Sequence, residues 1–217
     1  DKDTMLNILG GKANVRLDGY IPYGFEGVDG NDFCDEKSYG EFNLEEAKSL
    51  MEAAGYNENN HLKFEYLYSN SQFHADVAQI LQQMWSQIYV DVELKSIEMG
   101  VFYDYVDNGD FTTCRYANND STDPLSYFQL FTTDSQIDGC QAITDPVLDQ
   151  MVEEAYQITD HDEYIAKLHE IEDYFVEEKQ YVIPLLTQNS VVLVQDGIEG
   201  LWLTVGGSPI VYNISVK

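Results

Sequence analysis

The residues that most often carry catalysis are few and widely spaced in this chain. None of its four histidines, His61, His74, His161 and His169, lies in an H-E-x-x-H pair or at metal-ligand spacing from a cysteine. We predict surface positions for them, since His161 and His169 lie on one acidic predicted helix. G-x-S-x-G, S-x-x-K and G-x-x-x-x-G-K motifs are absent as well. The sequence therefore predicts neither an enzyme nor a bound metal or cofactor.

Cysteines and carboxylates do not define a site either. The three cysteines, Cys34, Cys114 and Cys140, lack a C-x-x-C pair and cannot all pair within one chain, so free thiols and a Cys114–Cys140 disulfide both stay open. Carboxylates are too numerous to single out an acid–base couple, and the twelve acidic residues between positions 145 and 178 are interpreted as solvated helix faces. A secreted hydrolase that uses paired carboxylates stays as an alternative function, although no sequence motif supports it.

The charge balance excludes whole classes of partner. The 217 residues contain 11 Lys plus Arg against 39 Asp plus Glu, a formal net charge of −28, and the two arginines are Arg16 and Arg115. Binding nucleic acid or an anionic membrane surface requires a cationic surface, which this composition does not supply. A hydrophobic fraction of 44% is enough for a packed core, and no apolar run approaches the roughly 20 residues that span a bilayer.

One polar segment is well placed to bind a ligand. Residues 115–124, with the sequence R-Y-A-N-N-D-S-T-D-P, follow a predicted strand at 111–116 and precede a helix that starts at Pro124. In α/β folds, loops at the carboxyl ends of strands are where ligands bind. The segment is therefore either a connecting loop or a ligand site.

The elements around this segment indicate an α/β fold with a mixed sheet. Alternating strands from Leu62 and from Val90 flank a helix over 72–88, which predicts parallel strands joined by a right-handed crossover. A helix at 98–107 continues the pattern. Other helices are predicted at 2–9, after Asn43, and after the caps Asp145 and Asp160. Strands are predicted at three places near the C-terminus: 181–186, 191–194 and 210–216.

The order of these motifs resembles that of a known family. Residues 45–56 (E-E-A-K-S-L-M-E-A-A-G-Y), 78–94 and 123–131 are similar to three successive motifs of family 5 extracellular solute-binding proteins, the peptide-binding components of ABC importers. Landmarks at Asp1-Lys2-Asp3, Gly10-Gly11, Ile21-Pro22 and Pro184-Leu185 occur in the same order. The resemblance covers nearly the whole chain, which corresponds to the C-terminal portion of the proteins in this family.

The resemblance implies one lobe of a two-lobed periplasmic-binding-protein-like fold. It divides the chain into a loop-rich entry segment (1–42), an α/β ligand-binding lobe (43–197) and a tail (198–217) that would return to the first lobe. It also implies a monomer that works with a membrane permease. Its location would be periplasmic or, through a lipid anchor outside this sequence, the outer face of the cell membrane.

The resemblance also assigns roles within residues 116–120. Asp120 lies four residues before the proline, where the family has an aspartate that pairs with the α-ammonium group of the ligand. Asn118 and Asn119 would offer main-chain groups to an extended peptide, while Tyr116 and Ala117 replace a tryptophan often found there. A non-peptide solute (a nickel complex, haem or a glycan) is the alternative ligand, because members of the same fold bind these. An acidic interaction domain without a small ligand is a further alternative.

Overall fold

The computed structural model describes residues 1–10, 13–118, 123–133, 135, 143–189, 191–203 and 209–217. This part of the chain contains seven α-helices, two 3-10 helical turns (Val28–Gly30 and Phe33–Asp35) and nine strands. The helices are α1 (Lys2–Ile8), α2 (Leu44–Ala53), α3 (Gln72–Ser86), α4 (Met99–Asn108), α5 (Leu125–Gln129), α6 (Pro146–Ala155) and α7 (His161–Glu172). The strands are β1 (Asn14–Arg16), β2 (Leu62–Ser69), β3 (Val90–Ile97), β4 (Thr113–Cys114), β5 (Leu186–Gln188), β6 (Ile198–Glu199), β7 (Trp202–Leu203), β8 (Pro209–Ile210) and β9 (Ser215–Val216). A π-helical turn, Asp173–Glu178, extends α7.

A three-stranded parallel sheet with the order β3-β2-β4 organises the fold and confirms the predicted strand–helix–strand unit. In β2, Tyr66 and Tyr68 pack with α3 on one face, while Leu67 packs with α4 residues on the other. The first crossover runs from β2 to β3 and the second from β3 to β4, in opposite directions across the sheet and on opposite faces, so they have the same hand. Antiparallel pairing also occurs in the described chain, but in separate two-stranded sheets: β1-β5, β6-β9 and β7-β8.

The predicted helix caps are confirmed, because capping depends only on neighbouring residues. The Asn43 side chain accepts from the Glu46 backbone N–H at 3.1 Å, and Asp160 does the same for Glu163 at 3.1 Å. Asp145 accepts from the N–H groups of the first turn of α6, whose first residue is a proline. These caps satisfy N–H groups that have no partner within the helix.

Two apolar clusters hold these elements together. The larger joins α4, α5, α6 and α7 to the loop-rich N-terminal part of the chain, where Ile21, Phe33 and Tyr39 are buried. The smaller packs α3 onto β2 and β3, with Met5 of α1 in contact. The N-terminal segment thus shares a core with the helices that follow. The division at residues 42 and 197 stays a prediction.

The strands predicted near the C-terminus are wrong in position. The first strand is β5, which begins at Leu186 where the prediction ended, and residues 191–194 form no strand, with Leu193 95% exposed. A turn interrupts the run predicted at 210–216, leaving β8 and β9 to pair with different partners. Alternating apolar residues indicate an extended conformation, but only a partner strand completes the hydrogen bonds.

A buried acid–histidine cluster, formed by Glu36, His169 and Glu172, joins the N-terminal loops to α7. Nε2 of His169 lies 2.8 Å from a Glu36 oxygen, and its ring stacks on Phe33 with centroids 4.0 Å apart. Nδ1 lies 3.8 Å from Glu172 Oε2, beyond hydrogen-bond distance. His169 is 7% exposed and Glu172 2%, so the predicted surface position is wrong for His169. The spacing along one helix could not reveal a carboxylate that approaches from another segment.

Candidate ligand-binding cleft

A large open cleft runs along β4, the edge strand of the parallel sheet, and continues past the carboxyl end of that strand. Its volume is about 2030 Å³, and its lining includes residues 111–118, which contain β4 and the start of the predicted ligand loop. The first crossover leads from β2 to β3 on one side, and the second returns from β3 past β2 to β4 on the other side, so the chain changes direction between β2 and β4. Such a switch point is where open α/β sheets bind ligands, and the volume exceeds that of a usual small-molecule pocket.

Three of the five predicted site residues line this cleft. Tyr116 is half-buried, and Ala117 and Asn118 are exposed directly after it. Asn119 and Asp120 lie outside the described residues, as does Cys140, the predicted disulfide partner of Cys114. The structure thus places the start of the predicted loop on the cleft wall. The ligand contacts of the five residues stay predictions.

Arg115, the first residue of the predicted segment, also lines the cleft, although no role in binding was predicted for it. Its backbone N–H donates to Leu67 O at 2.7 Å, which continues the pairing of β4 with β2 by one residue. Its guanidinium donates to the Tyr116 carbonyl, while its buried Nε has no partner among the described residues. Burial lowers the pKa of Arg115, but a guanidinium keeps its charge in proteins. Its rarity, one of two arginines at a net charge of −28, was the signal available in the sequence.

Arg115 is one of four charged residues in the described lining; the others are Asp1, Lys2 and Glu41. The Lys2 ammonium already donates to the Leu17 carbonyl at 2.6 Å and lies 3.7 Å from Asp18. Arg115 therefore supplies a positive charge next to the predicted loop. It suits an anionic group on a ligand, such as a carboxylate.

Five aromatic side chains that line the cleft contact one another in a row, which we call the aromatic wall. Each ring contacts the next in the order Phe25, Tyr127, Tyr20, Phe131, Tyr116, with centroid separations of 5.9, 6.1, 5.9 and 6.1 Å. All five residues line the cleft. Three contacts are near-perpendicular at 76–89° and the fourth, Phe131–Tyr116, is at 68°, the edge-to-face geometry that aromatic pairs favour.

Asp145 positions another aromatic residue of the cleft. One carboxylate oxygen accepts from the hydroxyls of Tyr174 and Tyr181, both at 2.7 Å, and Tyr181 lines the cleft. The other oxygen accepts from the N–H groups of Val147 and Leu148. Burial raises the pKa of Asp145, but these hydrogen bonds outweigh burial and hold the pKa below its usual value. A single carboxylate thus joins the cleft to the start of α6.

We expect Asp145→Asn to lower the free energy of unfolding by about 1.5–3 kcal/mol at pH 7, the range for hydrogen bonds to a charged group. Because the folded pKa is depressed, this stabilisation is present above the unfolded carboxyl pKa of about 3.9 and is lost as the pH falls through the folded value. Urea denaturation at pH 7 and at pH 3 measures both effects. The exposed Asp104→Asn is the matched control, and an equal loss in both variants would contradict the assignment.

The described residues contain neither a cluster suited to a metal ion nor a helix suited to crossing a membrane. No group of three His, Cys, Asp or Glu side chains is arranged to hold a metal ion. In the same described ranges, no helix combines the length and apolar character needed to cross a membrane.

Comparison with known proteins indicates what the chain is similar to. Residues 1–139 match the family model described as bacterial extracellular solute-binding proteins, family 5 Middle. The periplasmic oligopeptide-binding protein OppA of Escherichia coli K12 is 25% identical over 205 residues, which cover 92% of this chain and 37% of that protein. The chain therefore spans less than half the length of this relative.

Solved structures share the fold. A periplasmic oligopeptide-binding protein (OppAIV) from Borrelia burgdorferi superimposes with a TM-score of 0.79 at 19% identity, covering 100% of this chain and 43% of that one. OppA of Haemophilus influenzae in complex with RPPGFSPFR superimposes with a TM-score of 0.74 at 22% identity. The match covers 92% of this chain and 40% of that one. Both match this chain over less than half their own length. At these identities the likeness establishes the periplasmic-binding-protein fold, as predicted.

Proposed function

The chain belongs to the bacterial extracellular solute-binding proteins of family 5, and we propose that it forms one lobe of a receptor that captures short peptides for an ABC importer. The observation that carries the proposal is the cleft at the switch point of the sheet, with residues 116–118 on its wall. The relatives and structural neighbours named above bind oligopeptides, which supports this ligand class.

The geometry suits an extended peptide. The exposed residues Ala117 and Asn118 follow β4 and would offer their main chain to a peptide that binds as an added strand. Asp120 would accept the α-ammonium group, as the resemblance implies, and Arg115 would receive a carboxylate. Charge-assisted hydrogen bonds of this kind are stronger in a closed cleft than in water.

The remaining assignments follow from the same proposal. The protein would bind and release its ligand without chemical change, as a monomer whose second lobe closes over the cleft. Its partner would be a membrane permease. Its location would be the periplasm, where the E. coli relative is named, or the outer face of the membrane through a lipid anchor.

We expect the complete protein that contains this chain to bind short peptides with a free N-terminus about 10–150-fold more tightly than their N-acetylated forms, equal to about 1.5–3 kcal/mol for a charged hydrogen bond. Asp120→Asn should reduce the affinity for free-amine peptides by a similar factor and leave that for acetylated peptides nearly unchanged. Calorimetry on both peptide sets measures the difference. Asp104→Asn, on the exposed face of α4, is the matched control.

The other outcomes separate the alternatives. Equal binding of all peptides to both proteins would keep the receptor function and place the anchor elsewhere. Absence of any peptide binding would contradict the peptide proposal and favour another solute, such as a nickel complex, haem or a glycan. Turnover of the peptides would favour the hydrolase alternative.

A further inference from the structure

We infer that the aromatic wall makes this cleft selective for peptides that carry aromatic or large apolar side chains. The inference rests on the proposed peptide-binding function and names the class of peptide. The wall extends from Tyr116, within the predicted ligand loop, to Phe25 in the N-terminal loops. A peptide bound along residues 116–118 would therefore have at least one side chain in contact with it.

The contrast between the wall and the core beneath it supports a role in binding. Phe128 and Phe175 are both 0% exposed and do not line the cleft, although they contact Tyr20 with centroids 5.6 and 5.2 Å away. Tyr20, by comparison, is only half-buried and does line it. The chain thus has a second, fully buried aromatic layer that holds the first in position. In the outer layer, Tyr20, Phe25 and Tyr116 are half-buried and so retain surface that a ligand can cover.

Packing within the chain holds the wall in position. Tyr127 and Phe131 are 6% and 3% exposed, and the Tyr20 hydroxyl donates to the Tyr127 carbonyl at 3.2 Å. Phe175 supports Phe131 from behind at a centroid distance of 4.9 Å. Side chains already ordered by such packing lose little conformational entropy on binding, so contact with an incoming ring contributes more fully to affinity.

Charge favours apolar ligand side chains over acidic ones. The wall itself contains no charged residue, and the chain carries a net charge of −28, which repels acidic ligands. The positive charge of Arg115, next to the wall, can neutralise one carboxylate of the ligand but not a second. We therefore expect the order of preference Phe, Tyr or Leu above Ala, and Ala above Glu, at the side-chain position that contacts the wall.

The test uses the complete protein and a series of tetrapeptides with free termini. In each set the peptides differ at a single position, which carries Phe, Ala or Glu, and the four positions are varied one after another. At one position or more, Phe should bind at least tenfold more tightly than Ala, the effect of burying one aromatic side chain. Tyr116→Ala and Phe25→Ala should reduce this Phe/Ala ratio to about threefold or less, whatever happens to the absolute affinities. Tyr103→Ala, an aromatic residue 46% exposed on α4 and outside the cleft, should leave the ratio unchanged.

A second variant covers the case in which Tyr116→Ala does not fold. Tyr116→Leu keeps apolar volume and removes the ring, and it should lower the preference for Phe over Leu peptides. If peptides bind but Phe and Ala are equivalent at every position, or if the wall variants leave the ratio unchanged, the inference is wrong and the proposed function stands. If no peptide binds, both fail together.

Discussion

Glu172→Ala should destabilise the folded chain by about 3–5 kcal/mol at pH 7, the cost of removing one partner from a buried ionic cluster. Glu172 Oε1 accepts from the backbone N–H groups of Tyr20 at 2.5 Å and Ile21 at 3.1 Å, and Oε2 faces the His169 ring. The substitution leaves two donors without their acceptor and removes a charge next to the histidine. It would also loosen the loop that carries Tyr20 of the aromatic wall.

Urea denaturation followed by circular dichroism measures this loss. Glu153→Ala is the matched control, since Glu153 is exposed on α6, and surface substitutions of this kind change stability by about 0.5 kcal/mol or less. A loss for Glu172→Ala no larger than that of the control would show that the cluster does not stabilise the fold.

The same cluster predicts a pH dependence. Burial lowers the pKa of His169, but the carboxylates of Glu172 and Glu36 outweigh burial, so the folded pKa is raised. A raised pKa gives stabilisation that is complete below the unfolded value of about 6.5 and is lost as the pH rises through the folded value. The stability difference between the native chain and His169→Phe should therefore shrink from pH 6 to pH 9. A difference that grows over this range would contradict the assignment.

Phe175→Ala is the second large effect, with an expected loss of about 3–5 kcal/mol for removal of a buried phenylalanine. Phe175 is 0% exposed in the π-helical turn after α7 and contacts the rings of Phe131, Tyr20 and Tyr181 at 4.9, 5.2 and 5.7 Å. The cavity would lie directly behind three residues that line the cleft. Thermal or urea unfolding gives the loss in stability.

Two comparisons make this prediction specific. Phe175→Leu keeps most of the volume and should cost less than half as much as the alanine variant, since the cost of a core substitution rises with the cavity that remains. Phe42→Ala, at a residue 60% exposed, should change stability by about 0.5 kcal/mol or less. Equal losses for Phe175→Ala and Phe42→Ala would mean that the aromatic layer behind the cleft does not stabilise the fold.

Elements defined by neighbouring residues could be predicted from the sequence. The caps at Asn43, Asp145 and Asp160 and the parallel β2–α3–β3 unit depend on spacing and on side chains within a few positions, and all are confirmed. The same reasoning placed the start of the predicted ligand loop after a parallel strand, since the end of such a strand has a known place in an α/β fold. The family and fold followed from the order of these local motifs.

Contacts between distant segments were decided only by the tertiary structure. His169 is buried because Glu36, 133 residues away, approaches its helix, and the strands near the C-terminus depend on partners that alternation cannot specify. The aromatic wall joins rings from the N-terminal loops, from Tyr116, two residues after β4, and from the region of α5; Tyr20 and Tyr127 are 107 residues apart. The sequence determined which residues are aromatic, charged or helix-capping. Folding decided which of them meet, because burial and pairing energies depend on neighbours in space.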